Sequence, residues 1–124
     1  MAIFAIGIDA VEIDRIQKAI ESTGEKFKRR IFTDSEIVYC EKKQSFESYA
    51  ARFAAKEAVF KATGQGLRDN MKWKDVEVQI DELGKPTLRL SGKLADYFEG
   101  CRLFISLTHT KNTAVAVVIA EKTD

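Results

Sequence analysis

Histidine, proline and cysteine are scarce in this chain: one, one and two among 124 residues. Cys40 and Cys101 form no CxxC pair, and with a single histidine beside them neither a structural zinc site nor a disulfide framework is expected. A reducing, cytoplasmic setting is the simplest expectation. Charge of one sign is missing too. Twenty Lys and Arg against nineteen Asp and Glu leave a formal charge of +1, which removes the electrostatic argument for a nucleic-acid binder. The longest apolar run, Ala2 to Ile8, is too short to span a bilayer and lacks the basic leader and small-residue cleavage site of a signal peptide. No linker, repeat or low-complexity tract interrupts the sequence. What remains is 45% hydrophobic and 31% charged, the balance of a globular protein, and the length suits one core. A single domain over residues 1–124 is therefore expected.

The hydrophobic pattern divides the chain into elements. Ala2 to Ile8 is apolar throughout, as for a strand covered on both faces. Val11, Ile13, Ile16 and Ile20 follow at roughly helical spacing. Thr33-Asp34-Ser35-Glu36 is a capping-box sequence that starts a second helix, and a third runs from about Ser45 to Thr63 and stops at Gly64. The period then changes. Trp73 to Ile80 and Thr87 to Leu90 alternate as strands around the turn residues Asp81 to Pro86. A short helix from Lys93 to Phe98 ends at Gly100, and two apolar strands, Leu103 to Leu107 and Ala114 to Ala120, close the chain. The order is strand, three helices, two strands, helix, two strands: an α+β domain with helices packed on a mostly antiparallel sheet.

Glu57 is the sharpest anomaly. Phe46, Tyr49, Ala50, Phe53 and Phe60 fall within about 100° of one another on a helical projection, and Glu57 lands inside that stripe. A carboxylate facing a core needs a partner or a metal. The bland alternative is an ion pair with Lys61 one turn later. Asp9 is the second anomaly. It ends an apolar strand, and Asp9-Ala10-Val11-Glu12 also reads as a helix cap. Read functionally, it is a carboxylate where sheets commonly present their sites. Two carboxylates on separate elements without a Cys or His cluster suit a hard cation such as Mg²⁺. His109 lies in Ser106-Leu107-Thr108-His109-Thr110-Lys111, a turn whose hydroxyls and lysine could hold phosphate oxygens. No serine sits in a nucleophile-elbow pattern. Gly64-Gln65-Gly66 is too short for a phosphate loop and reads first as a helix stop. Lys26, Lys28, Arg29 and Arg30, with Arg15 and Lys18 upstream, make the first third locally basic. Such a run is either a solvated face or a means of steering an acidic partner.

Three segments carry a family resemblance. Gly7-Ile8-Asp9-Ala10-Val11-Glu12-Ile13 with Arg15-Ile16, Arg52-Phe53-Ala54-Ala55-Lys56-Glu57-Ala58 with Lys61-Ala62, and Ser106-Leu107-Thr108-His109-Thr110 stand in the order and at the spacing of one known pattern. The sequence resembles the holo-acyl-carrier-protein synthases, the small type of 4′-phosphopantetheinyl transferase. The likeness includes Phe32-Thr33 and Gly84-Lys85-Pro86 and so covers almost the whole chain. It departs at Ile8, Thr108 and Asn112-Thr113, none of which is a presumed metal ligand.

The resemblance implies a Mg²⁺-dependent enzyme of fatty acid biosynthesis. Such an enzyme moves the 4′-phosphopantetheine arm of coenzyme A to a serine of apo-acyl carrier protein and releases adenosine 3′,5′-bisphosphate. By the same resemblance Asp9 and Glu57 hold the metal, and Lys61 adds positive charge beside the phosphates. Arg52, His109, Thr110 and Gly64 join Lys61 in contacting the coenzyme. Arg15 and Lys18 face the acidic carrier protein, and the assembly is a homotrimer with its clefts between subunits. Either Glu57 or a metal-bound water takes the serine proton. Two other readings stand beside this one: a non-catalytic module gripping RNA or protein through residues 26–30, and a degenerate relative that binds coenzyme A without transferring anything.

Overall fold

The computed structural model describes residues 2–66 and 71–123. Strand β1 (Ala2–Glu12) leads into helices α1 (Ile13–Thr23), α2 (Glu25–Ile31), α3 (Asp34–Lys43) and α4 (Phe46–Ala62). A 3₁₀ turn over Trp73–Asp75 opens the hairpin of β2 (Val76–Ile80) and β3 (Pro86–Leu90), followed by α5 (Gly92–Tyr97), β4 (Cys101–His109) and β5 (Thr113–Lys122). The order is the expected α+β order with one addition. Residues 25–31, which the sequence shows as a basic run, form a helix of their own beyond Gly24, where the backbone turns with φ +64°.

Three strands form an antiparallel sheet in the order β1-β5-β4, and β2 and β3 form a separate antiparallel pair. The inner face of the sheet is built from small residues: Gly7, Ala114, Ala116, Val118 and Ala120. Helix α4 lies on that face and meets it with its own alanines, Ala50, Ala51, Ala54, Ala55, Ala58 and Ala62, all buried. Small residues on both sides let the backbones come close. Gly7 shows how close: a Cβ built there would run into the Ala58 carbonyl. The face of α4 that carries the packing is thus the alanine row, and the aromatic stripe around Glu57 lies to its side.

Local signals held where their partners are local. Thr33 caps α3, accepting from the Glu36 amide, while the Glu36 carboxylate takes the Thr33 amide at 2.8 Å. Gly64 follows α4 with φ +79°, beyond the range comfortable for other residues. Two strand expectations fail. The first strand does not stop at Ile8; its ladder with β5 runs on through Asp9↔Ala116 and Val11↔Ala114, so α1 starts at Ile13 and Asp9 is not its cap. Nor is β1 covered on both faces. One helix layer covers one face, and on the other Ile6, Ile8 and Phe104 are 62%, 60% and 45% exposed.

A buried ion pair ties the helices to the hairpin. Lys56 and Glu36, 0% and 1% exposed, meet at 2.8 Å. Lys56 also donates to the carbonyls of Trp73 and Val76, and the second Glu36 oxygen accepts from the Val78 amide at 2.7 Å. Burial pulls the Lys56 ammonium down, and the Glu36 carboxylate pulls it back. Since every oxygen and donor has a partner, the pair locks the rotation of α4 about its axis.

Candidate active site

Asp9 lies on the inner face of β1, beneath α4, with its side chain largely buried. Lys61, from the last turn of α4, places Nζ 2.9 Å from Asp9 Oδ1 and 3.2 Å from the Ile8 carbonyl. The carboxylate in turn holds the Lys61 ammonium above its ordinary range. Glu57, one turn back, is half-buried, and among the described residues no ion pair or hydrogen bond reaches its carboxylate. The sequence's bland alternative, a Glu57–Lys61 ion pair, is not formed, because Lys61 turns to Asp9. Burial raises the Glu57 carboxyl first, the Asp9 charge raises it further, and Lys61 and Arg15 oppose both. Arg15 thus belongs electrostatically to this cluster. Lys18 does not: it pairs with Asp14 at 3.0 Å on the exposed side of α1. Gly64 lies just beyond Lys61, its amide bonded to the Lys61 carbonyl.

The other predicted residues gather elsewhere. His109, the last residue of β4, lines a cleft of about 200 Å³ with Ser45, Glu47, Ser48, Arg52 and Thr108. Arg52 is 4% exposed; its guanidinium stacks on the Tyr39 ring at 4.2 Å and donates to the Ser48 carbonyl at 3.2 Å. Its Nε is buried and, among the described residues, has no acceptor. A cleft of hydroxyls lined by an arginine suits an acceptor-rich ligand. Thr110 serves the turn: its hydroxyl oxygen accepts from the amides of Asn112 and Thr113.

These two groups do not share a pocket within one chain. Five residues of helix separate Arg52 from Glu57 and set them about 140° apart around α4. The Glu57–Lys61 shoulder faces β1, and the Arg52 shoulder faces β4, with β5 between them. At the usual strand spacing that puts the two edges about 10 Å apart. No sequence pattern signals this separation. Nor does any signal Glu47, which lies 2.9 Å from His109 Nδ1, or the role of Arg15 beside Glu57. Half of the basic run is paired as well: Lys28 with Glu25 and Glu41, and Arg29 with Glu25 and Asp34.

Paired carboxylates beside a lysine, and a phosphate-sized cleft lined by an arginine, are the equipment of a phosphoryl-transfer enzyme. Residues 5–118 match the model of the 4′-phosphopantetheinyl transferase superfamily, and the chain belongs to that family. It is similar to the holo-[acyl-carrier-protein] synthase of Solibacter usitatus, 49% identical over 96% of this chain and 98% of the relative. The counterpart from Geobacter sp. strain M21 is 47% identical over 97% and 99%. Among solved structures, a holo-(acyl-carrier-protein) synthase from Bacillus anthracis in complex with CoA (3′,5′-ADP) superposes with a TM-score of 0.84 at 36% identity, covering 99% of this chain and 100% of that one. The Helicobacter pylori enzyme in complex with coenzyme A gives 0.84 at 36% identity, over 94% and 99%.

Proposed function

We propose that this chain transfers the 4′-phosphopantetheine arm of coenzyme A to a serine of apo-acyl carrier protein, with release of adenosine 3′,5′-bisphosphate. The observation that carries the reading is the Asp9–Glu57–Lys61 cluster, set by β1 and α4 and made of the residues the family motifs supply.

The donor set fits Mg²⁺. Only hard oxygens are offered, two carboxylates face each other closely enough to raise one of them, and a lysine supplies Asp9 with a cation. Asp9 and Glu57 would hold the ion, which when bound supplies charge neutralisation to the pyrophosphate and the leaving bisphosphate. Lys61 keeps its own positive charge through its bond to Asp9 and stands ready to stabilise charge on the transferring group. Either Glu57 or a bound water takes the serine proton. Arg52, His109 and Thr110 contact the coenzyme from the β4 shoulder, and Gly64 does so beside Lys61 on the β1 shoulder.

The assembly we propose is a homotrimer. Two half-sites on opposite edges of one sheet, together with a bare apolar face at Ile6, Ile8 and Phe104, support a cleft closed by a neighbouring copy. The acidic carrier protein docks along α1 through Arg15 and Lys18. The carrier is that of fatty acid biosynthesis, and the setting is cytoplasmic.

Intact-mass spectrometry of apo-acyl carrier protein incubated with the chain, coenzyme A and Mg²⁺ tests this. The expected result is a gain of one phosphopantetheine, abolished by EDTA and by Asp9→Ala or Glu57→Ala. A gain that survives both substitutions would overturn the assignment of the two carboxylates; no gain despite coenzyme A binding would leave a degenerate binder.

A further inference from the structure

His109 is the only histidine in the chain, and its ring is already engaged. Nδ1 lies 2.9 Å from Glu47 Oε2 and 3.2 Å from the Thr110 carbonyl oxygen. An ionised carboxylate and a carbonyl only accept hydrogen bonds, so Nδ1 must be the nitrogen that carries the proton. Nε2, on the opposite edge of the ring, is then a lone pair in the neutral ring and an N–H donor in the charged one.

Glu47 is itself held in place. Its backbone amide donates to Ser45 Oγ at 3.1 Å, and that hydroxyl reaches Glu47 Oε1 at 3.4 Å. Its position in the first turn of α4 suits a negative charge. Arg52, a permanent cation, lines the same cleft as His109. A bare carboxylate beside a phosphate would repel it. A carboxylate behind a histidine is set back from the anion by the ring, whose Nδ1–H it accepts and whose Nε2 edge lies on the far side.

We infer that Glu47 is a positioning residue for the coenzyme site: it fixes His109 with the proton on Nδ1 and leaves Nε2 to donate, when the ring is charged, to a phosphate oxygen held beside Arg52. The inference rests on the coenzyme A reading above, although its first test does not.

With one histidine, ¹⁵N-histidine labelling reads this ring alone. At a pH of about 8.5, above the ordinary imidazole range, the wild-type spectrum should show the Nδ1–H tautomer. Glu47→Gln keeps an acceptor oxygen in place and should keep that tautomer. Glu47→Ala should lose it in favour of Nε2–H, with the helical circular dichroism unchanged. Titration with adenosine 3′,5′-bisphosphate at a pH of about 5.5, below the ordinary imidazole range so that the ring is charged, then reads the consequence. Glu47→Ala should bind about tenfold more weakly, the weight of one charge-assisted hydrogen bond. Glu47→Gln should fall between, and Glu47→Asp should recover part of the loss. In the transfer assay the KM for coenzyme A should rise with little change in kcat.

An Nε2–H tautomer in the folded wild type, or wild-type affinity in folded Glu47→Ala, would overturn the inference. Absence of transfer beside the expected tautomers and affinities would count against the transferase reading and leave the role of Glu47 supported.

Discussion

Lys61 reaches from α4 to β1 and holds Asp9 at 2.9 Å, although 52 residues separate them. That bond joins the chemistry of the site to the packing beneath it. Asp9 can be reached only because Gly7, two residues earlier on the same face of β1, lets α4 settle onto the strand.

Lys61→Met keeps most of the side chain and removes the charge. Transfer should fall by about 100-fold, the scale of losing one preorganised charge-stabilising donor. Stability should move by less than about 1 kcal/mol, because the Lys61 end of the pair is half in solvent. Steady-state kinetics and a thermal melt check the two halves; equal loss in both would make the residue structural.

Gly7→Ala should destabilise the fold by about 2–3 kcal/mol, since the added methyl meets helix backbone rather than a side chain that can move. Activity should fall with it, because α4 and β1 carry separate parts of the cluster. Urea unfolding measures the first effect, and coenzyme turnover on the folded fraction measures the second.

The buried pair gives a third test. Lys56→Met strands the Glu36 carboxylate and should cost about 3–5 kcal/mol. Adding Glu36→Gln, which keeps an acceptor for the Val78 amide and removes the stranded charge, should restore part of that. A double-mutant cycle by denaturant titration reads the coupling, and strictly additive losses would show that the two side chains do not act as a pair.

Glu77 sets a pH dependence. The Thr33 hydroxyl at 2.6 Å, helped by Ser35 at 2.7 Å and by Gln79, holds its carboxyl below the usual range. A carboxylate lowered on folding stabilises above its unfolded value and loses that contribution as the pH falls through the folded one. Stability from about pH 5 downward should therefore drop more steeply in the wild type than in Glu77→Gln. Parallel curves for the two proteins would deny Glu77 this role.

What the sequence disclosed followed the distance between partners. The Thr33–Glu36 box and the stop at Gly64 lie within one turn of helix and were legible as written. Asp9 was ambiguous because its segment suits a cap as well as a strand. The ladder partner that decides the matter, Ala116, is far along the chain. Glu57 stood out by its projection, but the burial of Lys56 beside it did not, since its partners come from α3 and the start of β2. The Glu47–His109 contact joins α4 to the end of β4, and no periodicity encodes it. The coverage expected on both faces of β1 failed for a different reason: an unbroken apolar run does not say whether this chain has a layer to lay on each face.

The proposed division of the site between copies is tested by combining two variants, each damaged on one shoulder. Asp9→Ala damages only the β1 shoulder and Arg52→Ala only the β4 shoulder. The two inactive proteins would be mixed, allowed to exchange subunits, and assayed by the intact mass of apo-acyl carrier protein with coenzyme A and Mg²⁺. A shared site predicts renewed phosphopantetheine transfer, because some interfaces in the mixed assemblies pair an intact Asp9–Glu57–Lys61 shoulder with an intact Arg52–His109 shoulder. Continued silence from folded, demonstrably exchanged assemblies would contradict it.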